Sequence, residues 1–134
     1  MMSYTDNTLN VLDVLMYNDN SEELSDIITS IRKRCEDEKR LTNHLKILEF
    51  EVQVVRNDLL QMLMPYKDDD HQRLEFMMTI AFRKSKTKLF TLLRQCQNTK
   101  IECITNECHL DDLIKKRNVI LNIMIHRHEQ QTDR

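Results

Sequence analysis

The sequence predicts an all-α protein organised around one long helix, and three observations carry that prediction. The first is a heptad step. Counting by three and then four from Leu24 visits Ile27, Ile31, Arg34, Glu38, Leu41, Leu45, Leu48, Val52, Val55, Leu59 and Met62. This alternation keeps one coiled-coil-like seam facing a partner helix, because seven residues nearly complete two helical turns. The second observation is that 134 residues include no glycine and a single proline, Pro65. Tight hairpins, phosphate loops and nucleophile elbows need glycine where φ is positive or the backbone approaches a ligand closely. Sheet-rich folds and the glycine-dependent enzyme motifs are disfavoured together. The third is composition: 31% charged, 40% hydrophobic and 5% aromatic residues suit amphipathic helices with a Leu/Ile/Val/Met core.

At this length the soft prior is one domain over residues 1–134. Residues 1–20 predict a short N-terminal helix with Leu9, Leu12, Leu15 and Met16 on one face, ended by the turn chemistry of Asn18-Asp19-Asn20-Ser21. Asn20 or Ser21 then caps the long helix, placed over about 21–64, with Glu22 and Glu23 suited to its positive end. Its seam is interrupted only by Arg34 and Glu38, one turn apart and able to pair. Residues 32–40 are almost all charged, the mark of a solvated face. From Leu45 to Met64 apolar residues occupy more than one stripe, which predicts burial by more than one neighbour.

Pro65 should end the long helix, since the residue before proline is pushed out of helical geometry. Asp68, Asp69 and Asp70 can cap a third helix over 70–97, with Leu74, Met77–Met78, Ala81, Ser85, Leu89, Leu92 and Cys96 as its main stripe. A C-terminal helix is placed over 107–128, where Leu110, Leu113–Ile114, Arg117, Leu121, Met124–Ile125 and His128 share a side, and 129–134 should fray.

Composition also bounds function. The formal net charge of −2 argues against a dedicated nucleic-acid binder, and no run of eighteen apolar residues or N-terminal signal pattern is present. The expectation is an intracellular protein with reduced cysteines. Cys96, Cys103, Cys108 and His109 are the one ligand-type cluster, but C-x₆-C and C-x₄-C-H are not the C-x₂₋₄-C knuckles of structural zinc. No metal and no cofactor is expected. His126 and His128, two apart, do not share a helix face, and His44 and His71 are isolated. Arg83, Lys84, Lys86 and Lys88 form the local basic cluster beside Phe82 and Phe90, suited to phosphates or an acidic partner. No catalytic constellation assembles, so an enzyme is not expected.

The glycine-free, Asn/Ile/Asp/Lys-rich stretches Asn7–Asn20 and Asn106–Ile125 resemble small proteins of large insect DNA viruses. Over the whole chain the general form is similar to the baculovirus protein-kinase-interacting proteins. That resemblance implies an accessory factor that binds a viral kinase; it matches no motif and assigns no residue.

Three functions stay open. The leading expectation is a non-enzymatic scaffold that self-associates, as a homodimer, through Leu41, Leu45, Leu48, Val52, Val55, Leu59 and Met62 and the apolar faces of the third and C-terminal helices. One roughly 60 Å helix exceeds what shorter helices of the same chain cover, so a second copy would complete the bundle. The alternative is an adaptor whose long helix lies in another protein's groove, a kinase for example. The third is a nucleic-acid accessory factor using Arg83, Lys84, Lys86 and Lys88.

Overall fold

The structure is a computed structural model that describes the backbone of residues 5–132 and the side chains of residues 20–130. It is all-α, with no strand among the described residues. Helix α1 spans Thr5–Leu63, a 3₁₀ turn spans Met64–Tyr66, α2 spans Asp70–Met77 and α3 spans Ile80–Thr132.

The separate N-terminal helix over 1–20 does not form; α1 continues through Asn18–Ser21. Asn, Asp and Ser cost less than about 1 kcal/mol each in a helix, and neither glycine nor proline stands there to force a break. The proposed face of Leu9, Leu12, Leu15 and Met16 lies outside the described side chains. At the other end Pro65 acts as expected. It sits inside the 3₁₀ turn, α1 stops at Leu63, and Lys67 N closes the turn on Met64 O at 3.3 Å.

The connector aspartates serve α2. Asp69 caps it by accepting from Gln72 N at 3.1 Å, and Asp70 pairs with Arg73. The single helix expected over 70–97 is broken at Met78–Thr79. Thr79 Oγ1 donates to Phe76 O at 2.6 Å and accepts from Phe82 N at 3.4 Å, so one hydroxyl closes α2 and caps α3. Phe76 stacks on Tyr66 with centroids 5.0 Å apart and meets Phe82 edge-on at 5.8 Å, which ties the connector to the core.

Beyond the break, the third and C-terminal helices are one. Residues 98–106 stay helical because Thr99 and Asn106, though polar, are buried on the same seam as Cys96 and Leu110. Apart from half-buried Ile114, the buried and half-buried positions of α3 step by three and four: Phe82, Ser85, Leu89, Leu92, Cys96, Thr99, Cys103, Asn106, Leu110, Leu113, Arg117, Ile120, Met124 and Arg127. Phe82 therefore replaces the expected Ala81, Ile120 replaces Leu121 and Arg127 replaces His128.

The chain divides into two compact units: Met1–Asp37 with Asn106–Arg134, and Glu38–Thr105. In the second unit Leu48, Val52, Val55 and Leu59 of α1 pack on Phe82, Leu92 and Cys96 of α3, with Leu45, Met62, Leu63, Phe76, Met77 and Leu89 at the edges. Each fully buried aliphatic side chain stabilises by about 1.5–3 kcal/mol. In the first unit Ile27 and Ile120 are buried, and Arg34 meets Asn106. Asn106 Nδ2 donates to Arg34 O at 2.9 Å, and Arg34 Nη1 donates to Asn106 Oδ1 at 3.4 Å. Glu38 was the partner expected for Arg34. The guanidinium turns to the buried amide instead, which would otherwise be unsatisfied.

Candidate interaction surface

The seam residues expected to bind a second copy are all placed on one face of α1. Leu41, Leu48, Val52, Val55 and Leu59 are buried, and Leu45 and Met62 are half-buried. Their cover in the Glu38–Thr105 unit comes from this chain's own α3 and connector, through Phe82, Leu89, Leu92 and Cys96. The premise that only shorter helices were available fails: α3 has 53 residues against 59 in α1. A filled seam is a core, and exposing it to a partner would first cost that burial.

Among the described residues, none covers the opposite side of α1 in this unit. Ile47, Phe50, Val54, Asn57 and Gln61 are exposed, with Met64 just past the helix end. They too step by three and four, and none carries a charge. Phe50 is 69% exposed and Ile47 57%, and exposed Leu60 lies beside them. Each residue turns the helix by about 100°, so this stripe is centred roughly 160° from the seam. The apolar residues on several faces of Leu45–Met64 predict burial by more than one neighbour, without separating a covered stripe from an exposed one. Stepping from Ile47 as well as from Leu45 would have separated the two stripes.

Between this stripe and α3, a shallow groove of about 390 Å³ is lined by Glu49, Phe50, Val52, Gln53, Leu93, Cys96 and Lys100. Phe50 and exposed Leu93 give it apolar walls. The basic cluster lies at the start of α3. Arg83, Lys84, Lys86 and Lys88 are all exposed, and no acidic residue occupies the first turn of that helix. Lys86 Nζ sits 5.7 Å from the Phe90 ring centroid, and Arg83 Nη2 lies 3.6 Å from Met78 Sδ. Asp69 and Asp70, which could have met these cations, are engaged in α2.

The cysteines do not form a ligand set. Cys96 is buried, Cys103 half-buried and Cys108 exposed, and the seven residues from Cys96 to Cys103 climb about 10 Å along the helix. Among the described residues, no group of three His, Cys, Asp or Glu is arranged to hold a metal ion. In the first unit, Ser30, His109 and Asp112 line one groove of about 390 Å³ with Lys33, Arg34, Asp37, Leu113 and Lys116. Nucleophilic catalysis needs such a serine hydrogen-bonded to its base and the base oriented by a third group. No hydrogen bond joins Ser30, His109 and Asp112 among the described residues. Among the described residues no helix is long and apolar enough to cross a membrane. No protein-family model, curated protein or solved structure matches this chain.

Proposed function

We propose that this chain is a non-enzymatic helical interaction protein whose contact surface is the outer face of α1 in the Glu38–Thr105 unit. One observation carries the reading: an uncharged, heptad-spaced stripe with Phe50 and Ile47 more than half exposed. Single exposed apolar residues are ordinary, but a contiguous patch on a soluble helix usually marks a binding surface. The heptad seam then has the structural task, holding α1 to α3, and the outer stripe has the binding task. Self-association and adaptor function both remain compatible with this division, since each needs an apolar helix face.

The test is to charge the face without touching the seam. Ile47→Glu with Phe50→Glu should leave the helical circular dichroism intact while removing contacts seen by sedimentation of the pure protein and by cross-linking in source cells. A doubly charged variant that keeps every wild-type contact would refute the reading.

A second reading rests on Arg83, Lys84, Lys86 and Lys88, four exposed cations with no acidic residue in the first turn of their helix. They suit a polyanion such as nucleic acid. If all four neutralise phosphates, log K should fall with log salt with a slope of about −3 to −4. Lys84→Glu with Lys86→Glu should roughly halve that slope; binding indifferent to salt would remove the reading.

A further inference from the structure

We infer that the occupant of the outer stripe is the same stripe of a second copy of this chain, paired parallel and in register. The inference rests on the proposed outer contact surface and adds its partner and its direction. Two features of the stripe choose them.

The first is the chemistry of facing residues. In a parallel, in-register pair each stripe residue faces its own copy: Phe50 meets Phe50, Asn57 meets Asn57, and Gln61 meets Gln61. The side-chain amide of Asn or Gln carries both donors and an acceptor, so two copies facing each other satisfy one another across a two-fold axis. An antiparallel pair centred on the same stripe would set Gln61 against Phe50 and Asn57 against Val54. Both amides would then be desolvated against apolar groups. A buried asparagine pair within an apolar seam is a known device for fixing register and strand number.

The second feature is the charge beside the stripe. Lys46 and Gln53 flank it on one side, and Glu51 and Asp58 on the other. In a parallel pair the flanking contact joins a residue to the partner residue five positions on. Lys46 then faces Glu51, and Gln53 faces Asp58, each contact occurring twice by symmetry. In an antiparallel pair the acidic flanks would face each other, bringing Glu51 against Asp58. Among the described residues neither Lys46 nor Glu51 is engaged within the chain, so both are available for the contact. The side chains that cover the seam, those of α3 and the connector, lie on the other side of α1 and leave the approach open.

The stripe runs 18 residues from Ile47 to Met64, about 26 Å, and upstream it turns polar at Asn43. That length sits near the lower limit for a specific interface, so the pairing should be reversible and concentration-dependent. The experiment is sedimentation equilibrium of the full chain under reducing conditions, which keeps exposed Cys108 from cross-linking. Wild type should pass from monomer to dimer with concentration. Phe50→Glu should weaken association at least about 100-fold. Lys46→Glu should weaken it by roughly 10-fold, and adding Glu51→Lys should restore it to within about 3-fold of wild type. A dimer that is lost with Phe50→Glu but not rescued by the charge swap would overturn the parallel register and leave the outer-face reading standing. A dimer indifferent to Phe50→Glu would overturn both. A wild-type monomer at every concentration would overturn self-pairing, and cross-linking in source cells that depends on Phe50 would then keep only the wider reading.

Discussion

Two neighbouring residues separate the two stripes: Leu48, 5% exposed, and Ile47, 57% exposed. Truncating each to alanine removes a comparable amount of hydrocarbon, so the difference in cost measures the environment. Leu48 packs in the core with Val52, Val55, Leu92 and Cys96. Its loss forfeits transfer free energy and leaves a cavity in a two-helix core with few atoms able to relax into it, about 2–5 kcal/mol in all. Ile47 loses little burial, and alanine's higher helix propensity returns a few tenths, so the net change should fall within about 0.5 kcal/mol of zero. For a chain of this size 1 kcal/mol moves Tm by roughly 3–5 °C. Leu48→Ala should therefore lower Tm by roughly 6–25 °C and Ile47→Ala by less than about 3 °C. The assay is thermal melting by circular dichroism at two concentrations, the lower one dilute enough to disfavour association. Equal losses at the lower concentration, or a larger loss for Ile47→Ala, would refute the assignment of seam and outer face. A loss for Ile47→Ala confined to the higher concentration would instead report its place in a dimer.

Other substitutions test other parts of the fold. Asn106→Ala should cost about 1–3 kcal/mol in urea denaturation, because it removes the 2.9 Å bond to Arg34 O and leaves a buried gap. Replacing Asn106 and Arg34 together with leucine should recover most of that loss, since neither polar group is then left without its partner; a double variant as unstable as Asn106→Ala would refute this. Thr79→Ala should cost about 1 kcal/mol and increase amide hydrogen exchange around Phe76–Phe82, as both hydroxyl bonds disappear. A thiol reagent should modify Cys108 quickly in the native protein and reach Cys96 only on unfolding; comparable rates would contradict the phase of α3.

The seam of α1 was legible because its residues are apolar and the heptad step is long. The length of α3 was not. Thr99 and Asn106 occupy seam positions with polar side chains, and a reading that follows hydrophobic periodicity stops where polarity begins. The phase of α3 was missed for two physical reasons. Its early stripe was anchored on Leu74 and Met77, which belong to α2, and the Thr79 cap resets the phase, so Phe82 is buried where Ala81 was expected. Farther along, a 3.6-residue template drifts from a 3.5-residue repeat by about 20° per heptad, enough to choose Leu121 over Ile120. The Thr79 break left no conspicuous sequence signal, since a single Thr is tolerated within most helices. The outer stripe was visible as excess hydrophobicity but not as surface, because an apolar residue reads alike whether its own chain or another molecule covers it.

Asn106, one of the residues that hid the second long helix, also sets its register. Two helices joined by a heptad seam can slide past each other by seven residues and still match apolar to apolar along most of their length. Such a slip in the first unit that places Asn106 against Ile27 would leave the buried amide facing hydrocarbon and take the Arg34 guanidinium away from it. In the native register those two polar groups bond to each other. Replacing both with leucine would add apolar area and remove the penalty on the slipped state. Uniform hydrophobicity along the seam would thus have made the fold easier to read in the sequence and less uniquely specified in the molecule.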